Sequence, residues 1–402
     1  MKHINNVSME DSVKSSFNRL LHECGGYFDF DEFSINLKKG ANPVNVIEID
    51  DFLELHRDVL AHGEEIINHH RGRYVNIPKV HLAYLNNPTL GAVVSKDPES
   101  KEYFIGIYYS SVILLREFFS KILCSPKVIP WIGDIEIEKA EKTNNPFIIN
   151  EIVLREFIDA YPDIRVHPNS SSRILLARNL TMIAIAYLVL HEFGHIAKGH
   201  LKYVQSLKGD ESYLPLFIDS PYERPTGKIP KIILHALETD ADHFANFHGM
   251  TMVGAMFGVH PTEESLMRSI ELWTFATFSF FRLFSLIPYY KVEHVDKHTH
   301  PSAAIRIFLA IDDICQDFPI ISKRIIDKEI NGKFLFDALL ENLSKIQEGI
   351  QDICSNSELF ILGTVPLLQA MTEYNLYRES MTDIHDDTLR VLSSFKYAFA
   401  NP

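Results

Sequence analysis

Cysteine is scarce in this chain: four in 402 residues, at Cys24, Cys124, Cys315 and Cys354. No two form a C-x-x-C pair, so neither a cysteine-built zinc site nor a disulfide framework is expected. Positive charge is also short. Lys and Arg number 39 against 53 Asp and Glu, a formal net charge of −14, which argues against a general nucleic-acid binder and would suit a basic partner. The opening residues, Met1-Lys2-His3-Ile4-Asn5-Asn6, are polar and lack the basic-then-apolar order of a secretory leader. Few cysteines and no leader make a reducing cytoplasm the expected location. A transmembrane segment is not expected either. The apolar stretch Leu272–Phe281 is bounded by Glu271 and Arg282, resumes at Leu283 and stops at Pro288. Its uncharged part falls short of the roughly 20 residues that cross a bilayer, and it reads as a buried core helix. No internal repeat or low-complexity tract is present. The rest of the composition, 46% hydrophobic and 23% charged, is that of a soluble globular protein with room for one large domain or two ordinary ones.

Histidine, by contrast, is plentiful, with 19 in the chain. One segment, His191-Glu192-Phe193-Gly194-His195, spaces two imidazoles four residues apart with a carboxylate beside the first. On a helix, positions i and i+4 share a face, so both rings can address one ion. This is the H-E-x-x-H arrangement of zinc hydrolases, in which the Glu acts as general base on a water. At this histidine frequency the pattern arises by accident in roughly one such chain in twenty, so context must support it. Context does: Ile183 to Leu190 is apolar and free of Gly and Pro, a buried helix leading into the motif. Gly194 costs about 1 kcal/mol of helix propensity, and a small residue there suits close approach of a strand or substrate.

A zinc hydrolase needs a third protein ligand. His200 is nearest, but the elongated pattern H-E-x-x-H-x-x-G-x-x-H fails because Lys198 stands at the Gly position. Residues Leu234 to Ala245 have helical apolar spacing and put Glu238 and Asp242 on one face. One of these carboxylates can ligate the ion, and the other can accept the free ring N–H of a ligating His and fix its tautomer. Ala241 and Ala245 would let two helices approach closely. His235 and His243 are rival ligands, though a pocket-wall or surface role suits them better. A third block, Thr299-His300-Pro301-Ser302-Ala303-Ala304-Ile305-Arg306-Ile307, opens a helix with Pro301 suited to its first position. His300 at the helix mouth could donate to the oxyanion of a tetrahedral intermediate. Arg306 could pair with one of the motif carboxylates.

Taken together the three blocks resemble the gluzincin metallopeptidases. The order H-E-x-x-H, then E-x-x-A-D-x-x-A, then T-H-P with an Arg six residues after the His is seen in HtpX-type and CAAX-prenyl-protease-type enzymes. The chain is more similar to the soluble Lit-type phage-exclusion peptidases, in the compact Thr299–Ile307 block, in Ala241-Asp242-His243 and in His200 five residues after the motif. The resemblance covers roughly 75–310, with its specific motifs confined to 180–310. It implies a cytoplasmic zinc endopeptidase acting on an intracellular protein, with a role in phage exclusion or abortive infection and activation by a phage or host protein. Zn2+ would be held by His191, His195 and Glu238. Glu192 would be the general base, Asp242 would orient a zinc-bound imidazole, His300 would serve the oxyanion, and Arg306 would brace the carboxylates. A reading from another class is a partner-binding regulatory or sensor protein on a zincin scaffold, its hydrolysis gated or vestigial.

The expected fold is α+β and mostly helical: a zincin-like core with a small antiparallel or mixed sheet and two zinc-binding helices, covered by C-terminal helices. The expected divisions are 1–74, 75–310 and 311–402. Within the first, helices are predicted at 9–23 and from Asp50 to His70, and strands at 27–36 and 44–49. Strands follow at Val80–Leu85, Leu90–Ser95 and Tyr103–Tyr109, separated by turns at Asn86-Asn87-Pro88 and Asp97–Ser100. Ser110 is predicted to cap a helix running to Cys124. A loop is expected at 135–142, a helix at 150–161, and a long helix after Ser170-Ser171-Ser172. The 201–230 segment, with Pro215, Pro221, Pro225 and Pro230, reads as a loop over the cleft. After 310 the spacing is helical, notably at 335–349 and 357–370. By resemblance the 80–109 sheet would bind substrate by strand addition at its edge; a plain structural sheet is the alternative.

Overall fold

The structure is a computed structural model that describes residues 51–85, 90–96, 101–142, 167–208, 213–215, 229–255, 258, 261–284, 298–354 and 367–400. The elements expected at 9–23, 27–36, 44–49 and 150–161, and both turns of the 80–109 patch, lie outside these residues. So does the 357–366 part of the helix expected at 357–370. The fold is α+β and mostly helical. In chain order its elements are α1 (Asp51–Arg71), β1 (Val80–Leu85), β2 (Ala92–Lys96), β3 (Tyr103–Tyr108), α2 (Tyr109–Ile122), α3 (Ser171–Ala197), α4 (His200–Lys208), β4 (Tyr213–Pro215), α5 (Lys231–Ala255), α6 (Glu263–Phe284), α7 (Ala303–Ile326), α8 (Gly332–Ile353) and α9 (Leu367–Leu392).

The four strands form one mixed sheet in the order β1-β3-β2-β4. β1 runs parallel to β3 with Val80 opposite Tyr103, and β2 runs antiparallel to both β3 and β4. β3 is buried along its whole length, as a central strand covered on both faces must be. The 201–230 linker is therefore not all loop. It begins as helix α4 and supplies β4 to the sheet. Its other residues, 209–212 and 216–228, lie outside the described set.

Two helix starts differ from expectation. α2 begins directly after β3 with Tyr108 at the cap, and Ser110 lies inside the helix. The neighbouring Ser111 hydroxyl is committed to the sheet, accepting from Gly91 N at 2.8 Å and donating to Gly91 O at 2.9 Å. α7 begins at Ala303, two residues after Pro301, because Ser302 takes the cap and its hydroxyl accepts from Ile305 N.

α3 is the axis of the molecule. From Leu176 onward almost every side chain is buried, and α1, α2, α5 and α6 pack around it. Among the described residues it alone is long and apolar enough to cross a bilayer, yet its apolar length is enclosed by these neighbours, the pattern of a core helix. α6 carries the Leu272–Phe281 stretch and is likewise buried, with Trp273, Phe278 and Phe280 fully enclosed. α7, α8 and α9 pack beside α5 and α6.

The end of α3 is closed by residues 395–400. Gly199 takes φ +79°, and a Cβ there would lie 2.3 Å from Phe395 O. Only glycine combines that backbone with that contact. Beyond it Tyr397 N donates to Ala197 O at 3.1 Å, Val75 N donates to Ala398 O at 2.8 Å, and Ala400 N donates to Arg73 O at 2.9 Å.

One electrostatic feature sets an acid limit on the fold. His70 of α1 and His248 of α5 meet edge to face, 4.4 Å between ring centroids. Burial, reinforced by neighbouring positive groups, pulls each down to about 3. Each ring regains a value near 6.5 when unfolded, so the unfolded state binds more protons between pH 6.5 and 3. Stability from this pair is full above 6.5 and falls as pH drops through that window, by up to about 1.4 kcal/mol per pH unit for each ring. Urea unfolding at pH 7, 5.5 and 4 should give a shallower pH slope for His70→Phe than for the parent chain; equal slopes would show that the pair does not set it.

Candidate metal centre

The centre forms where α3, α5 and the start of α7 meet. α3 presents Tyr187, His191 and His195 at successive turns of one face, and α5 presents Glu238 and Asp242 one turn apart. Gly194 lies where the two helices approach closely. A Cβ at that position would lie 3.2 Å from the Phe244 side chain of α5, so the close neighbour is a helix rather than a strand or substrate. Ala241 and Ala245 are fully buried, as expected of small residues between two helices.

His191, His195 and Glu238 converge, and their ligand atoms lie within 4.8 Å of one another. The two Nε2 atoms are 3.0 Å apart. Glu238 faces both rings, Oε2 3.2 Å from His191 and Oε1 3.5 Å from His195. Two atoms each bonded at about 2 Å to a single ion are at most about 4 Å apart, so one ion can satisfy all three. All three residues are almost wholly buried, and such a packing of donors needs a positive charge at its centre. When a proton supplies it, the proton sits on His191: burial opposes that charge, but Asp242 and Glu238 outweigh burial and push His191 up to about 9. Burial holds His195 well below its ordinary value and raises Glu238. Two imidazoles and a carboxylate form a donor set that fits zinc.

Asp242 turns toward the outer nitrogen of His191, which donates to its Oδ1 at 2.7 Å. The same carboxylate receives Arg306 in two places, Nε to Oδ2 at 2.8 Å and Nη2 to Oδ1 at 2.6 Å, and accepts the Tyr187 hydroxyl. Burial works against both charges. The Arg306 guanidinium nevertheless holds Asp242 well below the carboxylate range, and Asp242 keeps Arg306 firmly charged. Arg306 also lies over the Phe281 ring, 4.6 Å from its centroid.

Glu192 is fully buried beside the triad, and neither carboxylate oxygen has a hydrogen-bond partner among the described residues. Burial pushes it up to about 8, with His191 and Arg306 opposing and Glu238 adding to the rise. His300 reaches the same centre, its Nε2 3.4 Å from Glu238 Oε2 and its Nδ1 2.7 Å from Thr299 Oγ1. Burial keeps it neutral.

The rival histidines point elsewhere. His235 Nε2 donates to His298 O at 3.0 Å, and His243 Nδ1 lies 2.9 Å from Asp313. Two residues that the sequence reading left out of the centre belong to it. Tyr187 precedes His191 by four residues on the same face, a spacing that could have found it. Asp240 touches His200, and no spacing rule announces that contact.

The peptidase U49 family model matches residues 156–317. That span contains His191, Glu192, His195, Glu238, Asp242, His300 and Arg306, so a peptidase family shares the part of the chain that builds this centre. No curated protein and no solved structure matches the chain.

Proposed function

We propose that the chain is a zinc-dependent endopeptidase in which His191, His195 and Glu238 hold the ion and Glu192 is the general base. The observation that carries this reading is the convergence of three buried donor side chains beside a fourth, Glu192, whose oxygens accept no hydrogen bond among the described residues. Zinc, when bound, polarises a carbonyl and lowers the pKa of a water to about 7. Glu192 takes a proton from the attacking water and delivers it to the departing amine. Asp242, gripped by Arg306 and Tyr187, keeps the Nδ1 proton on His191 and leaves Nε2 bare for the ion. Neutral His300 is assigned as donor to the developing oxyanion. The substrate is an extended segment of an intracellular protein, laid along the sheet. A cytoplasmic role in phage exclusion, with activation by a phage or host protein, completes the reading and rests on the resemblance of the three motif blocks.

Metal analysis tests the core of the proposal. The purified chain should carry one zinc per molecule, and His195→Ala should lose it while keeping its helical circular dichroism. Substoichiometric zinc after loading, or unchanged zinc in the variant, would reject the ligand assignment. The substrate should emerge from a proteome-wide comparison of new N-termini in cells expressing the parent chain or Glu192→Gln.

A further inference from the structure

His195 has an outer partner that is built quite differently from that of His191. Its Nδ1 faces Nδ1 of His200 at 2.8 Å. The other nitrogen of His200, Nε2, lies 3.1 Å from Asp240 Oδ2, and Asp240 Oδ1 accepts from Lys198 Nζ at 2.9 Å. His195 and His200 are enclosed, and Asp240 nearly so. Two ring nitrogens at that separation need one proton between them, and the chain of contacts decides which ring owns it. The Asp240 carboxylate only accepts, so the single ring proton of neutral His200 belongs on Nε2. That leaves His200 Nδ1 a bare acceptor, and His195 Nδ1 must be the donor. His195 Nε2 is then bare and faces Glu238 and His191.

We infer that His200 and Asp240 are positioning residues that hold His195 in its metal-binding tautomer, an inference that rests on the metallopeptidase reading. The two histidine ligands thus have separate outer supports, a carboxylate braced by Arg306 for His191 and an imidazole–carboxylate–lysine relay for His195. The relay depends on the break after α3. Gly199 turns the chain so that His200, the first residue of α4, folds back onto His195.

The test compares the parent chain with His200→Leu, His200→Asn and Asp240→Ala. Leu fills the site without an acceptor, and Asn places an amide oxygen near the position of Nδ1. Affinity for zinc(II) and cobalt(II) is measured by competition with a chromophoric chelator, alongside the visible spectrum of the cobalt(II) form. Long-range proton–nitrogen NMR of the metal-free chain reads the His195 tautomer. Expected results are an Nδ1 proton on His195 in the parent chain, metal affinity about 10–100-fold weaker in His200→Leu, and recovery to within about threefold in His200→Asn. Asp240→Ala should weaken binding by a smaller factor and broaden the His195 signals, and it serves if the Leu variant fails to fold. A folded His200→Leu with parental affinity and cobalt spectrum would overturn the inference, as would equal loss in the Asn and Leu variants. A parent chain that binds no metal would instead defeat the metallopeptidase reading; the NMR arm would still report the tautomer.

Discussion

Glu192→Gln should cut peptide hydrolysis by about a hundredfold to ten-thousandfold while leaving metal and fold in place. Gln matches Glu in size and cannot take a proton from water. Neither oxygen of Glu192 accepts a hydrogen bond in the described structure, so the substitution breaks no contact. It also removes a group whose charge burial disfavours, and the thermal midpoint should stay level or rise. The measurement is the rate at which the new N-termini appear for purified parent and variant, with zinc content recorded for both. A variant that cuts within a few-fold of the parent rate would remove Glu192 from the chemistry, even if the metal site stood.

Arg173→Met should be the most damaging single change to stability. The Arg173 side chain is fully buried at the first turn of α3. Its guanidinium donates to five carbonyls of one loop: Nε to Leu123 O at 2.9 Å, Nη1 to Ile129 O at 3.1 Å and Ile132 O at 3.0 Å, and Nη2 to Ser125 O at 3.0 Å and Val128 O at 2.7 Å. Glu138 Oε1 stands 3.9 Å away as counter-charge. Met fills much of the volume and satisfies none of these acceptors, leaving buried carbonyls and removing the counter-charge of Glu138, whose oxygens keep, among the described residues, only their hydrogen bonds from Asn169 N and Ser170 N. The expected loss is about 3–5 kcal/mol, read as a lower urea midpoint. Lys at this position keeps a charge but only one donor head, and should recover a minor part. A loss below about 1 kcal/mol would mean the loop holds itself.

The centre was readable where its residues obey a local period. His191 and His195, then Glu238 and Asp242, declare themselves because a helix repeats every 3.6 residues and each pair falls within one element. The core role of Leu272–Phe281 followed from its length and flanking charges. What escaped depends on tertiary or backbone geometry. Arg173 donates its hydrogen bonds to carbonyls, which every residue possesses, so no residue type in the partner loop marks it. His200 joins His195 through a left-handed glycine turn, where helical spacing no longer applies. The strand β4 inside a proline-rich linker follows from its pairing with β2 at long range, which outweighs local composition. Pro301 and Ser110 were plausible helix starts, but Ser302 takes the cap of α7, and α2 begins directly where β3 ends, without a side-chain cap.

The stitching of residues 395–400 to the end of α3 and to residues 73–75 has a consequence for biosynthesis. The ribosome makes the H-E-x-x-H helix well before the segment that seals its last turn, since Tyr397 bonds to Ala197, 200 residues earlier in the chain. Closure over so long a loop is slow relative to local helix formation. A nascent chain that carries every motif residue but stops short of residue 395 is therefore still open at this corner, and the last turn of α3 gains its cover only when residues 395–400 have emerged.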